Sequence, residues 1–303
     1  MTTVAVLDDY QAVAESLADW KSLGADVTFF HDHLDDEDAL VGRLDAYDVL
    51  VLMRERTPLS RGLLARLPQL RLVVTTGMRN ASIDLDAARE RDVVVCGTSG
   101  GTAGTMELAW ALILAVVRHV PAEDAGVRSG GWQHTVGTDL AGATLGLLGL
   151  GRLGGAMVPV ARAFGMDVIA WSQHLTDAAA TERGATRVEP DELFARSDVL
   201  SVHLVLSDRT RGLVGARELA LMKPSATLIN TSRGPIVDED ALVAALTEGR
   251  LAGAGIDVYD REPLPAGAPI LSAPRTVLTP HLGFVTRRTY AAWYPAAVEA
   301  IDA

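Results

Sequence analysis

Thr144-Leu145-Gly146-Leu147-Leu148-Gly149-Leu150-Gly151-Arg152-Leu153-Gly154 is the stretch that decides the fold. Leu145–Leu148 is a short apolar run, the pattern of a parallel strand covered on both faces. Gly149, Gly151 and Gly154 then spell G-x-G-x-x-G. The first glycine permits a tight turn, the second lets backbone amides approach a pyrophosphate, and the third lets helix and strand pack closely. The helix that starts here offers unpaired N–H groups and the positive end of its dipole. Gly149, Gly151, Arg152, Leu153 and Gly154 are therefore expected to hold a dinucleotide, with Arg152 facing its phosphates.

Working outward, strand-like runs follow at Asp167–Trp171, Val199–His203, Thr227–Asn230, Ala252–Ile256 and Val277–Thr279. Helical patterns alternate with them at Arg152–Phe164, Ala178–Arg183, Asp191–Arg196, Ala216–Met222 and Glu239–Glu248. Six strands behind a glycine fingerprint match a Rossmann dinucleotide-binding fold. Before the fingerprint, strands are expected at Val4–Leu7, Val27–Phe30, Val49–Leu52, Leu72–Thr75 and Val93–Cys96. Helices between them, at Ala12–Lys21, Asp36–Leu44, Ser60–Leu67 and Leu85–Arg91, make a second parallel α/β series without a fingerprint. Gly97–Thr102 reads as a hinge or crossover, and Ala103–Val120 as one long apolar helix stopped by Pro121. Glu123–Leu140, rich in glycine, reads as an irregular arm. A last helix, Val285–Ile301, is expected to return to the first series, which makes that domain discontinuous. The division is 1–100 with 284–303, and 101–283.

With 303 residues and 49% hydrophobic composition, the chain can fill two cores. A net charge of −12 argues against a nucleic-acid partner, so local arginines must capture any anionic substrate. The single cysteine, Cys96, allows no internal disulfide and fits a reducing compartment. The strongest apolar run, Leu108–Val117, is too short to span a bilayer, and the N-terminus shows no signal-peptide pattern. A cytoplasmic protein with no membrane partner is expected. His31-Asp32-His33 has metal-like spacing but no further ligand cluster, so no metal is expected.

Three stretches carry the candidate chemistry. Asn230-Thr231-Ser232-Arg233-Gly234-Pro235 follows a strand, which places Arg233 at the carboxyl edge where open α/β sheets bind ligands. Its guanidinium can fork onto a carboxylate or carbonyl. Asp257-Val258-Tyr259-Asp260-Arg261-Glu262-Pro263 also follows a strand and offers Glu262 as partner to a histidine. Thr279-Pro280-His281 supplies that histidine, the usual proton carrier near neutral pH. Taken singly, each also reads as a surface arginine, a solvated loop acid and a histidine in a turn.

Together, in order, these motifs resemble those of the D-isomer-specific 2-hydroxyacid dehydrogenases. The spacing suits that family: 262 − 233 = 29 residues from Arg to Glu and 281 − 262 = 19 from Glu to His. Met222-Lys223-Pro224, Trp132 ahead of Gly142-Ala143-Thr144-Leu145-Gly146, and Glu107 extend the match over almost the whole chain. The resemblance implies a Rossmann domain inserted into a flavodoxin-like substrate domain, and hydride transfer between a 2-oxo acid and a D-2-hydroxy acid. It makes His281 the acid/base, Arg233 the substrate anchor and Glu262 the residue orienting His281. It further implies substrate contacts from Arg54 and from the backbone of Thr76, Gly77 and Met78. Cofactor contacts are implied for His203, Thr231, Ser232 and Asp257. A homodimer built on the long apolar helix and the arm is also implied. Two readings compete: a nucleotide-sensing corepressor on the same fold, and formate dehydrogenase. The second pairs its histidine with Gln, where this chain has Glu262.

The cofactor is NAD or NADP. An acid about 20 residues past the glycines normally binds the ribose 2′-OH of NAD. Here the strand Asp167–Trp171 runs into Ser172-Gln173-His174. No carboxylate repels a 2′-phosphate there, and no arginine among the three grips one. The expectation is acceptance of NADP(H) with only modest discrimination from NAD(H), leaning to NADP(H).

Overall fold

The computed structural model describes residues 1–99 and 103–303. These fall into two compact units, Met1–Gly101 with Val285–Ala303, and Thr102–Phe284. The hinge expected at Gly97–Thr102 lies partly outside the described residues.

In the first unit, β1 (Thr3–Val6), β2 (Asp26–Phe29), β3 (Val49–Leu52), β4 (Leu72–Thr75) and β5 (Val94–Gly97) form one parallel sheet in the order β2-β1-β3-β4-β5. That is the flavodoxin-like order. The four residues of β3 are all buried, which is why they read as an unbroken apolar run. The helix Arg287–Asp302 belongs to this unit and is capped by Thr286, whose hydroxyl accepts from the Thr289 amide at 3.1 Å. It buries Tyr290, Trp293, Tyr294 and Ala297, one helical face, and Tyr294 meets Trp20 edge-on at 6.2 Å.

The second unit holds β6 (Thr144–Leu148), β7 (Asp167–Trp171), β8 (Thr186–Arg187), β9 (Val199–Val202), β10 (Thr227–Asn230), β11 (Gly253–Ile256) and β12 (Thr276–Leu278). All are parallel, in the order β12-β11-β10-β9-β6-β7-β8. Renumbered from β6, this is 3-2-1-4-5-6 with one added strand. The order reverses between β6 and β9, the switch point where such sheets bind ligands. Leu145, Leu147 and Leu148 are fully buried, each contributing about 1.5–3 kcal/mol over exposure.

Four sequence expectations are corrected. Ala12–Lys21 is a single turn, Ala14–Leu17, followed by a 3₁₀ turn, Trp20–Leu23, that ends on Gly24. The buried Trp20 indole donates to the Ala14 carbonyl at 2.8 Å, pulling the chain inward and ending the helix. Ala103–Val120 stops at Val117, because His119 takes a left-handed conformation (φ 52°). Pro121 then stands in the first turn of a new helix, Val120–Arg128, where its missing N–H costs nothing. The arm is therefore irregular only past Arg128. There the Glu123 carboxylate receives the His134 and Thr135 amides at 3.0 and 2.7 Å. β8 was missed because two residues on an edge show no periodicity. Among the described residues, no single helix is long and apolar enough to cross a membrane.

Candidate active site

The glycine turn lies at the end of β6. Gly149 has φ +106°, and a Cβ there would meet the His203 carbonyl at 2.7 Å. A Cβ on Gly154 would run into the Gly149 carbonyl. Both glycines are thus demanded by the protein itself. Gly151 differs: its φ of −79° suits any residue, and a Cβ there would meet nothing within 4 Å. That leaves open space above a glycine the chain itself does not need. Gly151 caps the helix Arg152–Ala163 without any side-chain bond to its first amides. Those donors remain for a ligand. Arg183 donates to the Leu150 carbonyl and holds the turn from outside, a contact between distant residues that no motif announces.

Three consecutive neighbours, β10, β11 and β12, deliver the candidate catalytic loops from their carboxyl ends. Buried Asn230 shapes the first loop, donating to the Arg233 carbonyl and accepting from the Ser232 amide, both at 3.0 Å. Arg233 Nη1 bonds the Ser232 carbonyl at 2.7 Å. Gly234 leaves no room for a side chain, which would strike the backbone of Tyr259 and Asp260. That close approach seats the Arg233 loop on the loop carrying Glu262. Ser232 Oγ donates to the Leu204 carbonyl at 2.5 Å, and the buried Thr231 hydroxyl has no partner among the described residues.

His281 Nδ1 and Glu262 Oε2 lie 2.6 Å apart, while Glu262 Oε1 accepts from the Tyr259 amide at 2.9 Å. The carboxylate is therefore fixed at both oxygens. Its contact sets the ring so that Nδ1–H donates and Nε2 is left open. His281 adopts φ +52°, uncommon for a non-glycine residue. Asp257 supports that backbone. Its fully buried carboxylate accepts from Thr279 Oγ1 at 2.6 Å and from the Leu282 and Gly283 amides at 2.7 and 2.9 Å. Burial raises the Asp257 carboxyl pKa above its ordinary range, opposed by these donors. Tyr259, which sequence reading did not single out, hydrogen-bonds the Thr279 carbonyl at 3.1 Å and ties the two loops together.

In the first unit, Arg54, Thr76 and Gly77 are brought together. The Arg54 amide donates to Thr76 Oγ1 at 2.9 Å, and its guanidinium bonds the Thr76 carbonyl at 3.1 Å. Gly77 (φ +90°) lies under that guanidinium, which a Cβ there would push aside. The Thr76 amide is already donated to the Leu52 carbonyl and the Gly77 amide to Thr98 Oγ1. Of the three expected substrate-binding amides, that of Met78 is left, on a 70% exposed residue.

His203 packs its backbone against the glycine turn, and its Nε2 lies 2.9 Å from Ser201 Oγ. Burial pushes its pKa down to about 4, so the ring is neutral near pH 7. Past β7, Ser172 is half-buried, and Gln173 and His174 are exposed. Gln173 is not alone: Arg209, from the loop after β9, donates to its Oε1. Sequence reading missed this arginine. The strand order was the available signal, since β9 and β7 flank β6 and their loops flank the glycine turn. His31 and His33 instead contact the Asp9 carbonyl (3.0 Å) and the Asp8 carboxylate (2.8 Å). Among the described residues, no three His, Cys, Asp or Glu side chains form a metal-binding group.

Fold and site first define a class: a two-unit α/β protein whose second unit carries a glycine turn at a helix start and, on the loops after β11 and β12, a His–carboxylate pair. Comparison with known proteins narrows it. Residues 110–283 match the family model of the D-isomer specific 2-hydroxyacid dehydrogenase, NAD binding domain. Glyoxylate reductase of Aeropyrum pernix is 41% identical over 237 residues, covering 75% of this chain and 71% of that protein. D-3-phosphoglycerate dehydrogenase of Mycobacterium bovis is 37% identical over 254 residues, 83% of this chain but only 48% of that longer protein. The crystal structure of a phosphoglycerate oxidoreductase from Vibrio cholerae has a TM-score of 0.95 at 39% identity, covering 99% and 98% of the two chains. The chain belongs to the D-isomer-specific 2-hydroxyacid dehydrogenase family, nicotinamide-dependent oxidoreductases acting on CH–OH donors.

Proposed function

We propose that this chain interconverts a 2-oxo acid and its D-2-hydroxy acid, with His281 as acid/base, Arg233 as substrate anchor and Glu262 as the residue orienting His281. The 2.6 Å contact between His281 and Glu262 carries the reading. A bound nicotinamide supplies the hydride in reduction and accepts it in oxidation. In reduction, negative charge gathers on the substrate's carbonyl oxygen, and His281 Nε2 gives that oxygen its proton. Glu262 stabilises the imidazolium that holds the proton beforehand. Arg233 offsets the developing charge and forks onto the substrate carboxylate. In oxidation, Nε2 takes the hydroxyl proton back.

The dinucleotide would rest on Gly149, Gly151, Arg152, Leu153 and Gly154, with the Thr231 hydroxyl and Ser232 near its reactive end. Ser172, Gln173 and His174 would meet the adenosine ribose and accept NADP(H) as well as NAD(H). Arg54 and the Thr76–Met78 backbone are proposed as substrate contacts, with Met78 offering the open amide. The domain roles follow: Rossmann domain 101–283, substrate domain 1–100 with 284–303. A homodimer is also proposed, because Trp132 (76% exposed) and Val136 (93% exposed) leave apolar surface on the arm.

The test is a panel of glyoxylate, hydroxypyruvate and pyruvate with NADH and NADPH. Activity on at least one acid is expected, with kcat cut about 10²–10⁴-fold in His281→Ala while dinucleotide binding persists. Near wild-type turnover in that variant would remove His281 from the mechanism.

A further inference from the structure

We propose that Arg209 forms, with Ser172 and Gln173, a binding site for the 2′-phosphate of NADP(H). The proposal rests on the dinucleotide reading of the glycine turn and adds a residue to it.

Three observations carry it. First, position. Gln173 is the second residue past β7, where this fold places the group that meets the adenosine ribose. The acid that would select NAD is missing: Ser172-Gln173-His174 stands there. Second, charge. Among the described residues no carboxylate lies within ion-pairing distance of Arg209. Arg187, on the edge strand β8, donates to the Leu175 carbonyl but is held by Glu189 at 2.9 Å and flanked by Asp177 at 4.0 Å. On a chain of net charge −12, an exposed guanidinium with no carboxylate in ion-pairing distance among the described residues attracts an anion. Third, preparation. Arg209 gives one N–H of five to Gln173 Oε1. That bond holds the planar fork beside the strand end and leaves the remaining donors open to phosphate oxygens. Ser172 adds a hydroxyl. The two loops come from β9 and β7, which flank β6, so the site forms only in the folded sheet.

The ligand is a ribose 2′-phosphate, as in NADP(H) or in adenosine 2′,5′-bisphosphate. The experiment is equilibrium titration of the purified full chain by calorimetry, with NADPH, NADH, adenosine 2′,5′-bisphosphate and AMP, at low and high salt. Arg209→Ala should weaken NADPH and the bisphosphate about 10–100-fold, the weight of a lost charge-assisted contact. NADH and AMP should change less than about threefold. Arg209→Glu should weaken NADPH further and leave NADH nearly unchanged. Wild-type NADPH binding should lose more on adding salt than NADH binding does. Equal weakening of both dinucleotides in Arg209→Ala, or unchanged NADPH binding, overturns the 2′-phosphate site while the glycine-turn reading stands. Failure of the wild type to bind NADH and NADPH alike overturns both.

Discussion

Gly151→Ala separates a glycine kept for a ligand from one kept for the fold. The added methyl meets no protein atom within 4 Å, and φ −79° is an ordinary angle. Two small effects on stability oppose each other. Replacing glycine at a compatible angle restricts the unfolded chain and stabilises by about 0.4–1 kcal/mol. Alanine caps a helix worse than glycine does, costing about 0.5–1 kcal/mol at this helix start. The net should lie within about 1 kcal/mol of zero, a Tm shift of no more than about 4 °C for a unit of this size. Ligand binding should behave differently. The methyl fills the approach to the helix amides, so about one charge-assisted bond to phosphate is lost, about 1.5–3 kcal/mol or 10–150-fold in Kd. Calorimetric titration with NADH beside a thermal scan measures both. Gly154→Ala is the control: its Cβ strikes the Gly149 carbonyl, so stability itself should fall. Unchanged NADH affinity in Gly151→Ala would show that the open space is not the phosphate cradle. A Tm drop beyond about 10 °C would show that the protein needs the glycine after all.

Glu262→Gln retains an acceptor for the Tyr259 amide but loses the charge facing His281. Reduction should slow about 10–150-fold in kcat/KM with NADH binding intact, and unchanged steady-state kinetics would deny the pair its role. His203, at about 4 in the fold against 6.5 ordinarily, refuses a proton that the unfolded chain accepts. Its penalty is absent above pH 6.5 and grows as pH falls toward 4, up to about 3 kcal/mol. His203→Gln should therefore lose less stability than wild type between pH 7.5 and 4.5 in urea unfolding, and parallel losses would refute this. Light scattering at micromolar protein should give a dimer mass, and a monomer would remove the role proposed for the Trp132 arm.

Legibility followed the local physics. Val49–Leu52, Leu72–Thr75, Asp167–Trp171 and Thr227–Asn230 have the boundaries expected from sequence, because a strand buried on both faces is a plain apolar run between turn residues. The helix around Ala14 was overextended because its end depends on where the Trp20 indole goes, a tertiary choice with no local mark. Pro121 was read as a stop because proline fits the first turn of a helix as well as it ends one. At the site, the glycine turn and the Arg233, Glu262 and His281 motifs were visible as residue types. Their contacts were not. Asp257, expected at the cofactor, has its carboxylate occupied by three donors of the His281 loop. Arg209 reaches Gln173 across 36 positions, a pairing visible only once β9 and β7 are placed on either side of β6.

The arrangement can be judged by which groups the protein leaves unspent. Asn230, Asp257 and Glu262 all have their polar atoms engaged, so the loops after β10, β11 and β12 are held rigidly. Against that background the Thr231 hydroxyl stands out. It is buried beside these loops with no partner among the described residues, a condition that costs about 1–3 kcal/mol when nothing relieves it. Gly151 leaves open space above the sheet edge, and the first amides of the helix it caps receive no side-chain bond. Elsewhere in this chain Ser60 and Asp238 close their helix starts with side-chain caps, which Gly151 does not. At the carboxyl ends of β6 and β10 such unspent groups lie beside loops whose holding bonds are made. That division, a satisfied frame around unsatisfied donors, is what a preorganised ligand site requires.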